Sequence, residues 1–210
     1  MKREFIVIAL FVLAMMVVLW RGPKPMYYQI DDFLTPEECD EIIRTAQQRG
    51  LEPSKVYSAD TDDNDPNFRI SDQTWLKQAD SITRKVENVS GKPKENFEDI
   101  QVVKYEKGGF FTPHYDACDG DESFCKRMNG HSGQRYMTFL IYLNDDFEGG
   151  ETVFPNLGVS IKPKKGKALV FFNTDENGIL IRDSLHGGNP VESGTKWICN
   201  VWVRLNKMYI

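Results

Sequence analysis

Phe111-Thr-Pro-His-Tyr-Asp116 and, far along the chain, Asp183-Ser-Leu-His-Gly-Gly188 decide how this sequence must fold. Two of its only three histidines, His114 and His186, stand in these segments. Residues two apart on a strand point to the same side, so His114 and Asp116 can converge on one ion. A remote strand must then come alongside to present His186. Two imidazoles and one carboxylate occupy one face of an octahedron and leave the opposite positions free, which is how non-haem Fe(II) sites admit reactants. A lone His is more often a surface or hydrogen-bonded core residue, so the pattern gains its meaning from what surrounds it.

Around these segments the periodicity is that of short strands. Gln101 to Tyr105, Thr138 to Leu143, Glu151 to Phe154, Ala168 to Phe172, Asp183 to His186 and Trp197 to Arg204 are β-rich and separated by Gly or Asn-Asp turns. Many short strands in one unit predict a sandwich or closed sheet, and a jelly roll places distant strands beside one centre. Upstream, Thr35-Pro-Glu-Glu38 supplies an N-cap, a proline at the first helical position and a capping-box glutamate. A helix is expected from there to about Gly50, with Cys39, Ile42, Ile43 and Ala46 on its core face, and a second over Gln73 to Val89. The expected fold class is α+β, a jelly-roll core braced by N-terminal helices. The acidic stretch 60–66 lacks the Gly and terminal Glu of a calcium loop and reads as a surface loop, one that could cover substrate.

The 210 residues suffice for one well-buried catalytic domain once the N-terminus is set aside. A net charge of −5 and a pI near 5.3, with no basic stripe, argue against nucleic acid as a partner. Phe5 to Trp20 is an uninterrupted apolar run behind Lys2 and Arg3, without a clear cleavage site. Residues 1–20 are read as a signal anchor in the membrane, or as a signal peptide because the run is short for a bilayer. Residues 21–30 are then a stem and 31–210 the catalytic domain. That places the domain in the lumen of the endoplasmic reticulum and secretory pathway, or in a secreted form after cleavage. Cys118 and Cys125 could close a short loop in that oxidising compartment, and no cysteine spacing matches a zinc module. His131 has no ligand-like spacing and reads as surface.

The chain resembles the prolyl 4-hydroxylases, Fe(II)- and 2-oxoglutarate-dependent dioxygenases with a double-stranded β-helix (jelly-roll) fold, over nearly all of residues 28–204. The resemblance is carried by Arg69 with Ser71, Gln73-Thr-Trp-Leu76, Glu95-Asn-Phe-Glu98 and Gln101-Val-Val-Lys-Tyr105. It continues through Phe111-Thr-Pro-His-Tyr-Asp116, Gly149-Gly-Glu-Thr-Val-Phe-Pro155, His186-Gly-Gly188 and Gly194-Thr-Lys-Trp197. It implies His114, Asp116 and His186 as iron ligands and Lys196 as the cation that meets the distal carboxylate of 2-oxoglutarate. It implies Tyr105 as a cosubstrate-pocket residue, while Thr138 and Tyr142, on one face of a neighbouring strand, are further candidates. Trp202 shares strand parity with Lys196 and is the candidate for substrate contact, although a core tryptophan has the same signature. Asn189 stands where many relatives carry Cys, with local packing the expected consequence.

The implied activity resembles that of a procollagen-proline 4-dioxygenase. O2 and 2-oxoglutarate are consumed, succinate and CO2 released, and peptidyl-proline becomes 4-hydroxyproline, with L-ascorbate rescuing the iron. A proline-rich or collagen-like peptide is the expected partner, already ordered as polyproline II. Two other readings remain at this level: a related oxygenase acting on another residue or a small molecule, and a silent proline-rich-peptide binding module. A binding module has no need of the ligand triad together with Lys196.

Overall fold

The computed structural model describes residues 25–55 and 65–208. The apolar run 5–20 lies outside them, as does most of the acidic stretch 60–66. Among the described residues no helix is long and apolar enough to cross a membrane.

The chain opens with β1 (Tyr27–Ile30), α1 (Pro36–Arg49) and the short strands β2 (Glu52–Pro53) and β3 (Arg69–Ile70). There follow β4 (Asp72–Leu76), α2 (Asp80–Ser90), β5 (Ile100–Tyr105), β6 (Phe110–His114) and α3 (Glu122–Asn129). The remainder is strand: β7 (Arg135–Tyr142), β8 (Glu148–Gly149), β9 (Thr152–Phe154), β10 (Val159–Ile161), β11 (Ala168–Phe172), β12 (His186–Gly188), β13 (Val191–Ser193) and β14 (Lys196–Arg204). Seven strands pair in the order β1-β11-β7-β14-β5-β4-β2 and five in the order β10-β9-β12-β6-β3, with β13 and β8 forming a small third sheet. All the pairings are antiparallel. Two sheets face to face are the jelly roll that the strand pattern implies.

Period-two alternation sorts the large sheet into two faces. Ile100 and Val102 of β5, Met137, Phe139 and Ile141 of β7, and Cys199, Val201 and Val203 of β14 share a buried cluster with Cys39 and Ala46 of α1 and Ile82 and Val86 of α2. The intervening residues Val103, Tyr105, Leu140, Tyr142 and Ile198 face the small sheet and pack with Phe154 and Phe171. Each fully buried large apolar side chain contributes roughly 1.5–3 kcal/mol, so these two layers fix which side of β14 looks inward. That side carries Lys196 and Trp202.

Three expectations are corrected. The second helix begins at Asp80, because Asp72–Leu76 pairs with β5 as β4 and Gln73 accepts a hydrogen bond from Gln101 Nε2 at 2.6 Å. The strand expected over Asp183–His186 is a 3-10 turn at Arg182–Ser184, closed by Ser184 Oγ donating to the Ile181 carbonyl at 2.7 Å, and β12 starts only at His186. The boundary placed at residue 31 falls after β1, which pairs with β11 and belongs to the sheet. The first helix begins and ends as read: Thr35 and Glu38 form the reciprocal capping box, and Gly50 closes the far end. At Gly166, where φ is +80°, an added Cβ would collide with the Leu34 carbonyl, so only glycine lets the loop before β11 meet the segment leading into α1.

A candidate metal and cosubstrate centre

His114 ends β6 and His186 begins β12, and the register sets them directly opposite one another. The strands approach so closely that a Cβ at Gly187 would stand 3.0 Å from the Phe111 carbonyl oxygen, which accounts for glycine after His186. His114 Nδ1 lies 2.9 Å from the Thr112 carbonyl oxygen and His186 Nδ1 lies 2.9 Å from that of Ser184. A carbonyl can only accept, so both rings carry their proton on Nδ1 and present the Nε2 lone pair. Asp116 lies in the bend just beyond β6, yet its carboxylate still closes the triangle, with Oδ1 3.7 Å from His114 Nε2 and Oδ2 3.8 Å from His186 Nε2. The three ligand atoms all fall within 4.8 Å of one another. That is the donor set and spacing of a single small metal ion, and the fixed Nδ1 protons orient the imidazoles toward it.

Electrostatics favour the metal-ready protonation states. Burial disfavours a charge on His186, and the nearby His114 adds to this, holding its pKa near 4 against the pull of Asp116. Burial alone would raise Asp116, but His186, His114 and Arg135 outweigh it and keep the carboxyl well below its ordinary range. Thr138 Oγ1 donates to Asp116 Oδ2 at 2.6 Å, and Asn173 Nδ2 donates to Thr138 Oγ1 at 2.8 Å.

A cavity of about 430 Å³ extends from the triad along the inner face of the large sheet. Lys196 stands at one side of it, only 2 % exposed, its Nζ donating to the Gly150 carbonyl at 2.6 Å. Among the described residues no carboxylate lies within ion-pairing distance of it. Burial lowers its pKa to about 8 despite Glu151. An enclosed ammonium with no anion is a binding element for one. Tyr105 pairs with Lys196 across β5 and β14, its ring centroid 5.2 Å from Nζ, and lines the same cavity. Trp202 also lines it, stacked under the Arg135 guanidinium at 3.6 Å. Arg135 is in turn gripped by both oxygens of Glu98 at 2.7 Å.

Thr138 and Tyr142 are not in the cavity wall. Thr138 sits behind Asp116, and Tyr142 sits behind Thr152, to whose Oγ1 its hydroxyl donates at 2.8 Å. Thr152 is one of the wall residues that sequence reasoning missed, although it lies in the quoted Gly149–Pro155 motif and strand parity within β9 could have singled it out. The Glu98–Arg135–Trp202 stack had no local signal, since its members come from three separated parts of the chain. Asn189 donates to Glu151 Oε2 at 3.2 Å, a local packing role, and His131 is exposed.

A family model for the 2OG-Fe(II) oxygenase superfamily matches residues 100–204, a span containing the triad and Lys196. The chain is 37% identical over 185 residues to a protein of Acanthamoeba polyphaga mimivirus assigned by name to the prolyl 4-hydroxylases, covering 86% of this chain and 74% of that one. The chain belongs to the prolyl 4-hydroxylases of the 2OG-Fe(II) oxygenase superfamily. Prolyl 4-hydroxylase 2 of Arabidopsis thaliana is 35% identical over 211 residues, 87% of this oxygenase and 68% of the plant protein. The crystal structure of the viral collagen prolyl hydroxylase from Paramecium Bursaria Chlorella virus-1 in its 2OG complex superposes with a TM-score of 0.70 at 36% identity. It covers 86% of this chain and 97% of the viral one. This oxygenase is therefore an oxidoreductase that uses Fe(II) and 2-oxoglutarate.

Proposed function

We propose that the protein hydroxylates C4 of proline within an extended proline-rich or collagen-like peptide, with His114, Asp116 and His186 holding Fe(II) and Lys196 receiving the distal carboxylate of 2-oxoglutarate. The observation that carries this reading is the placement of the convergent His-Asp-His donors and an enclosed, unpaired ammonium along one cavity. When bound, iron and 2-oxoglutarate supply the oxidation in which one oxygen atom of O2 enters the prolyl C–H bond and the other enters succinate, with CO2 released. The protein's own groups position and shield the reactants.

The Nδ1–H donations to the Thr112 and Ser184 carbonyls fix the ring orientations and aim both Nε2 atoms as ligands. Lys196 and Thr152 offer donors at the cosubstrate end, with the Tyr105 ring as a side wall. Phe154 and Phe171 pack against His186 and exclude water from behind the triad. Trp202, buried beneath the Arg135 guanidinium, is the proposed substrate contact inside the cavity, and half-exposed Phe68 and Met128 add apolar wall.

L-ascorbate as the reductant that restores iron after turnover without peptide is part of the proposal, as is residence in the secretory lumen, anchored through residues 5–20 or released from that segment by cleavage. The Cys118–Cys125 disulfide supports an oxidising compartment. The deciding assay incubates the protein with Fe(II), 2-oxoglutarate, O2 and a proline-rich peptide, then analyses the mixture by mass spectrometry. One added oxygen on proline with equimolar succinate is the expected result. Succinate without peptide oxidation would reject the proline substrate and leave the oxygenase.

A further inference from the structure

Thr138 sits on β7 in the large sheet, whereas both histidines sit on the small sheet, so the bond from Thr138 to Asp116 ties the two sheets together at the triad. An ionised carboxylate can only accept, and a threonine hydroxyl has one proton. At 2.6 Å from Asp116 Oδ2, that proton must point to the carboxylate. Thr138 can then only accept from Asn173, which must present its NH2 group at 2.8 Å. The opposite amide orientation would place Asn173 Oδ1 against Thr138 and compete for the same proton. The orientation adopted leaves Asn173 Oδ1 buried without a hydrogen-bond partner. The local structure holds this unfavourable arrangement: Asn173 is fully buried, its N–H donates to the Tyr136 carbonyl and its carbonyl accepts from Ile181, both at 2.9 Å.

We propose that Asn173 and Thr138 are positioning residues for the metal site: the fixed amide of Asn173 sets the direction of the Thr138 hydroxyl, which holds the Asp116 carboxylate in its ligating orientation. The inference rests on the assignment of His114, Asp116 and His186 as metal ligands and adds two residues outside the cavity wall to that site.

The test measures Mn(II) affinity, as a redox-stable stand-in for Fe(II), by the loss of the free-ion paramagnetic resonance signal, with no turnover involved. Thr138→Val preserves shape and removes the donor, and a weakening of about 10- to 100-fold is expected, the usual cost of losing a ligand's support. Thr138→Ser restores the hydroxyl and is expected to bind nearly as the unaltered protein does, which separates loss of the bond from damage to the fold. Asn173→Leu is expected to weaken binding in the presence of Thr138 and to add nothing in the Thr138→Val background, since its effect passes through that hydroxyl. Unaltered affinity in Thr138→Val, failed rescue by serine, or equal losses from Asn173→Leu in both backgrounds would each overturn the relay. If the unaltered protein binds no Mn(II), or His114→Ala binds it equally well, the metal assignment itself falls and takes the relay with it.

Discussion

Lys196 is held charged and unpaired in a place that disfavours charge, and under the proposed role this makes cosubstrate affinity a function of pH. Its pKa near 8 means the ammonium is present below pH 8 and lost as pH rises through that value. A bound carboxylate stabilises the ammonium, so binding is strong below pH 8 and weakens about tenfold per unit above it. Calorimetric titration of 2-oxoglutarate into the metal-loaded protein is expected to show affinity about tenfold lower at pH 9 than at pH 7. Lys196→Met should flatten that dependence and raise the KM for 2-oxoglutarate far more than it alters metal binding. His114→Ala and Asp116→Ala should instead abolish succinate formation at any 2-oxoglutarate concentration, and equilibrium dialysis should find no bound metal. The convergence of these three proposed ligands was legible from spacing and resemblance because the chemistry of such a site restricts the residue types. Thr138 was legible as a residue and not as a role: parity put it on the inward face, but only the three-dimensional path of the bend after β6 brings Asp116 to its hydroxyl. Asn173 carried no signal at all, since an asparagine after a strand reads as turn material.

At the scale of elements, the two ends of α1 followed sequence rules because their determinants are local: a capping box, a proline, a glycine stop. The segment Gln73–Leu76 broke from expectation because its backbone pairs with β5, Gln73 meets Gln101 there and Trp75 packs against Trp202 of β14, so tertiary pairing overrode an ambiguous local pattern. The loop between β6 and β7 shows how an element can bear on function without touching the metal. The Cys118–Cys125 bond closes a separation of seven residues, and α3 within this loop carries Phe124 and Met128 to the cavity. Gln134 clamps the loop's base through the Cys118 backbone at 2.8 and 3.0 Å. Replacing both cysteines by serine is expected to cost about 2–3 kcal/mol on the chain-entropy estimate, readable as a lower midpoint in urea. It should also raise the KM for peptide severalfold while leaving the KM for 2-oxoglutarate, bound at the far side near Lys196, unchanged.

On the scale of the whole molecule, the site is a property of two sheets held in register: the histidines belong to one, Lys196 and Trp202 to the other, and Asp116 leans on both. Metal release and loss of cosubstrate binding should therefore occur together with global unfolding. A chain truncated after Thr195 should show neither a cooperative melting transition nor metal binding, because it lacks β14 and its partners β5 and β7 lose their shared neighbour. This dependence follows from a topology that strand periodicity alone could not order.

The last strand of the large sheet to be synthesised is its middle one: β14 enters between β7 and β5. Until it leaves the ribosome, the nascent chain carries two half-sheets, each with a long unpaired edge of the kind that recruits foreign strands. The interval between making residue 142 and residue 204 is thus a period of exposure that no property of the finished enzyme reveals, and chaperone demand should be greatest there. The strand that ends this exposure also delivers Lys196, so the chain cannot complete its proposed cosubstrate site before it has sealed its own edges.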